Sequence, residues 1–194
     1  MASAFTHAIA GLAIGTALGP RRAPTRFWVI CATAAALPDL DGVGFWLGVP
    51  YDSPFGHRGF THSLFFAALL ASVTLLAFRD RTMDEARGRL WLSFFLATAS
   101  HGVLDAMTTG GGGIAFFAPF VNERYFLPWR PIPVSPMSVR RFFSARGVAI
   151  LASEFLWVWV PAAVLAGTAL LLRRRATDPA GETAAGTDTR LNRA

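Results

Sequence analysis

Five apolar segments, set apart by basic turns and by glycine- and proline-rich breaks, occupy most of residues 1–172. The first, Phe5 to Leu18, contains His7 and ends at Gly19-Pro20. Arginines 21, 22 and 26 follow, and the second segment, Phe27 to Leu37, ends at Pro38. Proline disfavours helical geometry for the residue before it, so Leu37 is a natural helix end. The third, Leu64 to Phe78, is uncharged throughout and lies behind Thr61 and Ser63, either of which can cap a helix. The fourth runs from about Leu90 to Ala106, between the charged turn 79–89 and the four glycines 110–113. The last, Val148 to Leu172, has Glu154 as its one charge and is stopped by Arg173-Arg174-Arg175. The pattern predicts an all-α fold, a polytopic membrane bundle of about five helical segments. The first two segments are short against the ~20 residues that cross a bilayer. They either span with their flanks or lie buried behind longer helices.

Two breaks are long. Residues 42–59 read as a loop carrying Phe45, Trp46, Tyr51 and Phe55. Residues 114–146 form a connection with Phe116, Phe117, Phe120, Tyr125, Phe126, Trp129 and five prolines. Aromatic side chains favour the membrane interface, and a connection of this length is functional or holds structure of its own. It is expected to lie along the membrane surface. From Ala176 the chain turns polar and small, so residues 1–175 are expected to form the membrane domain and 176–194 a disordered tail.

Composition supports the membrane class. Only 15% of residues are charged and the mean hydropathy is +0.42, against about 25% charged in soluble domains. The net charge of +6 raises nucleic acid as a partner. The arginines, however, cluster between apolar segments, as in loops that orient a membrane protein, so membrane lipid is the expected partner and nucleic acid is not. One cysteine, Cys31, allows no intrachain disulfide. The start of the chain lacks a basic n-region, which argues against a cleaved signal peptide.

The polar residues able to hold a metal fall at segment ends. They are His7, Asp39 and Asp41 after Pro38, His57 and His62 within His57-Arg58-Gly59-Phe60-Thr61-His62-Ser63, and His101 with Asp105. His101 and Asp105, four apart, share one helix face. Singly, each has a plainer reading: a capping aspartate, or a buried histidine with one partner. Jointly they say more. If five helices alternate and the turns at 21–26, 79–89 and 173–175 share one side, all seven residues fall toward the other. Ionisable groups at membrane depth cost roughly 2.5–3.5 kcal/mol for Asp on insertion scales and mark function by default. Imidazole and carboxylate donors suit Zn²⁺, with Mn²⁺ or Fe²⁺ also compatible. Seven candidates allow one ion or two, the latter about 3.5–4 Å apart. Arg58 is placed to hold a phosphate oxygen, and an unligated Asp41 to act as general base. Arg124 and Arg130 read as interfacial arginines, and Glu154 as a structural group ahead of a catalytic one. No P-loop, nucleophile elbow or dinucleotide fingerprint is present.

With His7, Pro38-Asp39-Leu40-Asp41, the H-R-G-x-T-H-S block at 57–63 and His101-x-x-x-Asp105, residues 1–172 resemble the YdjM/YbcI-type bacterial inner-membrane family. The resemblance implies a membrane-bound metal-dependent hydrolase. It also implies a distant similarity to zinc-dependent phospholipase C and the S1/P1 nucleases, helical phosphodiesterases with a His/Asp metal cluster. Those enzymes carry more motif histidines than the four here, and an N-terminal amine ligand with no clear counterpart at Met1. The expected function is hydrolysis of a phosphoester in a lipid or other amphipathic substrate. The alternative is a non-enzymatic metal-binding, transport or scaffolding protein. A transporter would place its ligands at the bilayer midplane, often within internal repeats, and neither is seen.

Overall fold

A computed structural model of the chain describes residues 1–78, 80–135 and 144–176. Among these residues are five α-helices and no β-strand. α1 is Ala4–Leu18, α2 Thr25–Ala36, α3 Leu64–Ala77 and α4 Arg87–Ala106. α5 runs as one helix over Ala145–Arg175, with a π turn at Phe155–Trp159. The tail expected to be disordered falls, beyond Ala176, outside the described residues, as do Arg140 and Arg141 of the long connection.

Local chemistry explains the ends. Ser63 caps α3, its hydroxyl accepting from the Phe66 N–H at 3.0 Å. Thr61, the other capping candidate, instead turns its hydroxyl to Asp41. α2 stops before Pro38, but the chain does not open into a loop there. It tightens into a 3₁₀ helix over Leu37–Phe45. Proline cannot continue the α-helical hydrogen-bond ladder, yet its fixed φ suits a helical first turn. The break expected at 42–59 therefore begins as ordered 3₁₀ backbone. A second such turn, Phe60–His62, leads into α3. In α5, Pro161 lacks the N–H that would meet the Trp157 carbonyl, and the π turn lies at that missing rung.

α1 packs on α2, α4 and α5, and α4 packs in addition on α2 and α3. Phe27, Cys31, Ala35, Ala71, Phe78, Leu90, Phe94 and Ala97 fill the space between α2, α3 and α4. α1 and α2 come close because Gly11 has no side chain. A Cβ there would stand 2.4 Å from the Cys31 carbonyl oxygen, and small residues at such crossings are the usual means of close packing in membranes. α5 shows Phe155, Leu156, Val164, Leu170, Leu171 and Leu172 outward. α5 and the 21-residue stretch Thr25–Phe45 are long and apolar enough to cross a membrane; α1 and α3, at 15 and 14 residues, are shorter.

The two ends of the bundle differ. At one, Arg89 and Arg173 donate to the last carbonyls of α1, those of Ala17, Leu18 and Gly19, where cations offset the helix dipole. At the other, the connection after α4 folds back on itself. Thr109 N–H donates to Ile132 O, and Ile114 and Tyr125 exchange both backbone bonds, each at 2.9 Å. This buries Ile114, Ala115, Ala118 and Ile132 and leaves Phe117, Phe120 and Trp129 exposed. The described part of the connection is thus a structured cover over the bundle end that holds the histidines.

Candidate metal centre

Four turns deliver the cluster. Asp39 comes from the 3₁₀ helix after α2, His62 from the turn before α3, and His101 and Asp105 from the last turns of α4. One ligand atom from each of these four lies within 4.8 Å of the others. His7, near the start of α1 and expected as a ligand, lies against the group but is not one of the four. Its ring stacks on His101 at 3.7 Å between centroids, and its Nε2 is 3.4 Å from Asp105 Oδ1. His7, His101 and Asp105 are fully buried; Asp39 is the one partly open member.

The partners of the rings fix where their protons sit. His101 Nδ1 is 2.8 Å from the Ala35 carbonyl oxygen, which only accepts, so Nδ1 carries the hydrogen. His62 Nδ1 is 3.1 Å from Asp41 Oδ2, so the same holds there. In these neutral tautomers, the remaining nitrogens, His101 Nε2 and His62 Nε2, present bare lone pairs to each other across 3.1 Å. Asp39 Oδ1 points into the same space, 3.3 Å from His101 Nε2 and 3.8 Å from His62 Nε2. Both oxygens of Asp39, Asp105 Oδ2 and both nitrogens of His7 lack a hydrogen bond although buried. A proton on His101 Nε2 would serve His62 Nε2 and Asp39 Oδ1, 3.3 Å away, but not the other oxygen of Asp39 or Oδ2 of Asp105. A divalent cation satisfies lone pairs and carboxylates together, and two Nε2 atoms with two carboxylates match the donors such an ion takes. The residues present therefore fit a metal.

His62 stands outside the α-helices, and burial pushes its imidazole down to about 4, with Asp41 opposing that shift. It is neutral near pH 7, the form that ligates. The amino group of Met1 lies 4.0 Å from Asp105 Oδ2, and burial lowers its affinity for a proton. Met1 thus approaches the cluster, where the sequence offered no reason to place it.

Around the cluster lies a second layer of contacts. Asp41 bonds His57 Nδ1 and Thr61 Oγ1, each at 2.6 Å, accepts from the Arg58 N–H at 3.1 Å and backs His62. Asp41, expected as an unligated general base, is here a carboxylate that orients a metal-site histidine from behind. Such outer carboxylates set the tautomer and basicity of the ligand. His57, Asp41 and His62 form a second group whose ligand atoms lie within 4.8 Å of one another and that could hold an ion of its own; with Asp41 on the Nδ1 side of His62, His57 does not join Asp39, His101 and Asp105. Two ions on opposite nitrogens of His62 would sit a whole imidazole apart, farther than the 3.5–4 Å of a paired-metal site.

Arg58 is 1% exposed. Its Nε is 3.2 Å from Asp105 Oδ2, and its other nitrogens donate to Gly110 O at 2.6 Å and Thr108 Oγ1 at 3.0 Å. Its donors thus hold Asp105 and the glycine-rich turn, and the expected contact with a phosphate is not available in this arrangement. Arg58 has φ 66°, a left-handed backbone rare for a side chain of this size. That twist sends the His57 and Arg58 side chains to different partners. The turn it reaches needs glycine too: at Gly111, φ 89°, a Cβ would strike Arg58 Nη1 at 2.3 Å. Thr61 entered the sequence reading only as a helix cap within the 57–63 block, and Thr108 and the Ala35 carbonyl escaped it. The threonines have no distinguishing spacing, and a backbone acceptor leaves no mark in a sequence.

A family model described as YdjM inner membrane protein matches residues 1–176. The chain belongs to this family. It is an inner-membrane protein, as the resemblance implied. Inner membrane protein YbcI of Escherichia coli (strain K12) is 39% identical over 175 residues, which cover 90% of this chain and 100% of that protein. No solved structure matches. The family match takes in every residue of the cluster and stops at the basic end of α5.

Proposed function

We propose that the chain is a membrane-embedded, metal-dependent hydrolase that holds one divalent cation, zinc by its donor set, and acts on the phosphoester of an amphipathic lipid. The observation that carries this reading is the pair of opposed Nε2 lone pairs of His62 and His101, 3.1 Å apart, beside both oxygens of Asp39 and Oδ2 of Asp105, which have no hydrogen bond. When bound, the cation supplies Lewis acidity for attack on a phosphoryl group. Asp39, His62, His101 and Asp105 hold it. Asp41 keeps the Nε2 of His62 free of its proton, and Arg58 balances the buried charge of Asp105. Asp39 is the open edge; Leu40 in the same 3₁₀ helix, and Trp46 and Leu47 just beyond its end, stand exposed. That apolar rim suits a substrate approaching from a lipid surface. A cluster gathered at one end of the helices favours this reading over a transporter, whose site lies at the midplane.

In the same reading all five helices lie in the bilayer. The arginine turns are cytoplasmic and the metal end faces outward. Single cysteines in a Cys31→Ser background test the orientation. Asp52→Cys is expected to react with an impermeant thiol reagent in intact cells, and Gly88→Cys is not. The reverse pattern would put the site on the cytoplasmic face.

Chemistry is tested on detergent-purified, zinc-loaded protein offered a panel of phospholipids and isoprenoid phosphates in mixed micelles. Headgroup or phosphate release is expected from at least one, lost on chelation and in His101→Ala. No release from any member would defeat the substrate class while leaving the metal centre standing.

A further inference from the structure

One buried carboxylate has no part in the metal centre or in the layer around it. Glu154, on α5, is fully buried. Its Oε1 accepts from the Ser3 N–H at 2.6 Å. Its Oε2 accepts from the hydroxyls of Ser3 and Thr6, the latter at 2.7 Å. The π turn begins at the next residue and brings Trp159 round so that its indole N–H donates to Thr6 Oγ1 at 2.8 Å. Three donors from the cap and first turn of α1, two of Ser3 and one of Thr6, therefore converge on a carboxylate from another helix, which also lies where the dipole of α1 favours negative charge.

The tether runs directly to the cluster. Ala2, beside Ser3, donates its N–H to Asp105 Oδ1 at 2.7 Å. His7 comes directly after Thr6, and its N–H donates to Ser3 O at 3.2 Å. Asp105 and Glu154, from two helices, thus clamp adjacent amides of the chain just before α1. His7 has no hydrogen bond of its own to fix its ring. What places it against His101 and Asp105 is the position of its helical turn.

We propose that Glu154 is a positioning residue of the metal centre, acting through Ser3 and Thr6 to hold His7 against Asp105 and His101. α5, which contributes no ligand, is in this way coupled to the site. This rests on the reading of the cluster as a metal site, and the test separates the two.

The variants Glu154→Gln, His7→Ala and their double are compared with wild type in detergent. Co²⁺ affinity is read by competition with a chromophoric chelator, the ligand field by visible absorption, and the tether by hydrogen exchange at the amides of residues 3–7. Loss of an outer partner costs 10–100-fold in metal affinity, so Glu154→Gln is expected to weaken Co²⁺ by about 10-fold, shift the absorption bands and speed exchange. The double variant is expected to match His7→Ala alone, since effects that pass through one residue do not add. Wild-type affinity, spectrum and exchange in Glu154→Gln would overturn the proposal, as would losses that multiply in the double. If Glu154→Gln does not fold, Thr6→Val removes the Thr6 and Trp159 links with the carboxylate kept, and the same results are expected and the same ones overturn. Should wild type take up no Co²⁺, the metal reading fails, and exchange alone then decides the tether: unchanged rates in Glu154→Gln overturn it.

Discussion

Arg58→Leu is expected to destabilise the protein by about 3–5 kcal/mol, the range for removing one partner of a buried ion pair. The substitution takes the guanidinium from Asp105, beside Asp39, leaving it only the more distant Met1 amino group at 4.0 Å, and it frees the Gly110 carbonyl and the Thr108 hydroxyl that Arg58 now holds. Removing a partner and leaving a buried charge costs far more than the pair itself contributes. A second effect runs the other way. The left-handed backbone at position 58 costs about 1–3 kcal/mol in a residue with a side chain. Arg58→Gly removes that strain and loses the guanidinium, so it should be destabilised, but less than Arg58→Leu. Denaturant titration in detergent, monitored by far-ultraviolet circular dichroism, gives both values. Arg58→Gly at or above wild-type stability would mean that the guanidinium is not what holds Asp105.

His101→Ala and His62→Ala are expected to weaken divalent-ion affinity more than any change in the surrounding layer. Each removes an Nε2 from the pair 3.1 Å apart. Asp41→Asn, which leaves the ligand and removes the carboxylate behind it, is expected to fall in the 10–100-fold range of outer-partner losses. His57→Ala, attached to Asp41 and not to the ion, should do least. Zinc titration against a competing chelator ranks the four variants. A His57→Ala loss equal to that of His101→Ala would place His57 among the ligands, as its spacing in the sequence suggested.

The sequence made the helices legible because each apolar segment ends at a proline, a glycine run or an arginine cluster. It made the cluster legible for a topological reason: alternating helices bring every second break to one end, so His7, Asp39, His62, His101 and Asp105 had to share an end if five helices formed. Which residues touch was not legible. His57 and Asp41 stand as near to His62 in sequence as any ligand, yet Asp41 backs its Nδ1, and the left-handed turn at Arg58 leaves His57 bonded to Asp41. Nothing in residue type announces that φ, since arginine rarely adopts it. Arg58 was read as facing a substrate because it neighbours a histidine. Its true partners, Gly110 and Thr108, lie about fifty residues on. The 3₁₀ course of Leu37–Phe45 was hidden by Pro38, which marks the end of an α-helix but not the conformation of the backbone beyond it. Glu154 was legible as a lone charge in an apolar helix, and its burial against Ser3 and Thr6 accords with the cost of leaving such a group unpaired.

The central claim is a cation held between His62, His101, Asp39 and Asp105. Elemental analysis of the detergent-purified wild-type protein, with X-ray absorption at the edge of whichever metal is found, tests it most directly. The predicted result is one divalent ion per chain with a mixed nitrogen and oxygen shell and no sulfur. A chain free of metal after equilibration with zinc, or one whose ion is retained in His62→Ala and His101→Ala, would contradict it.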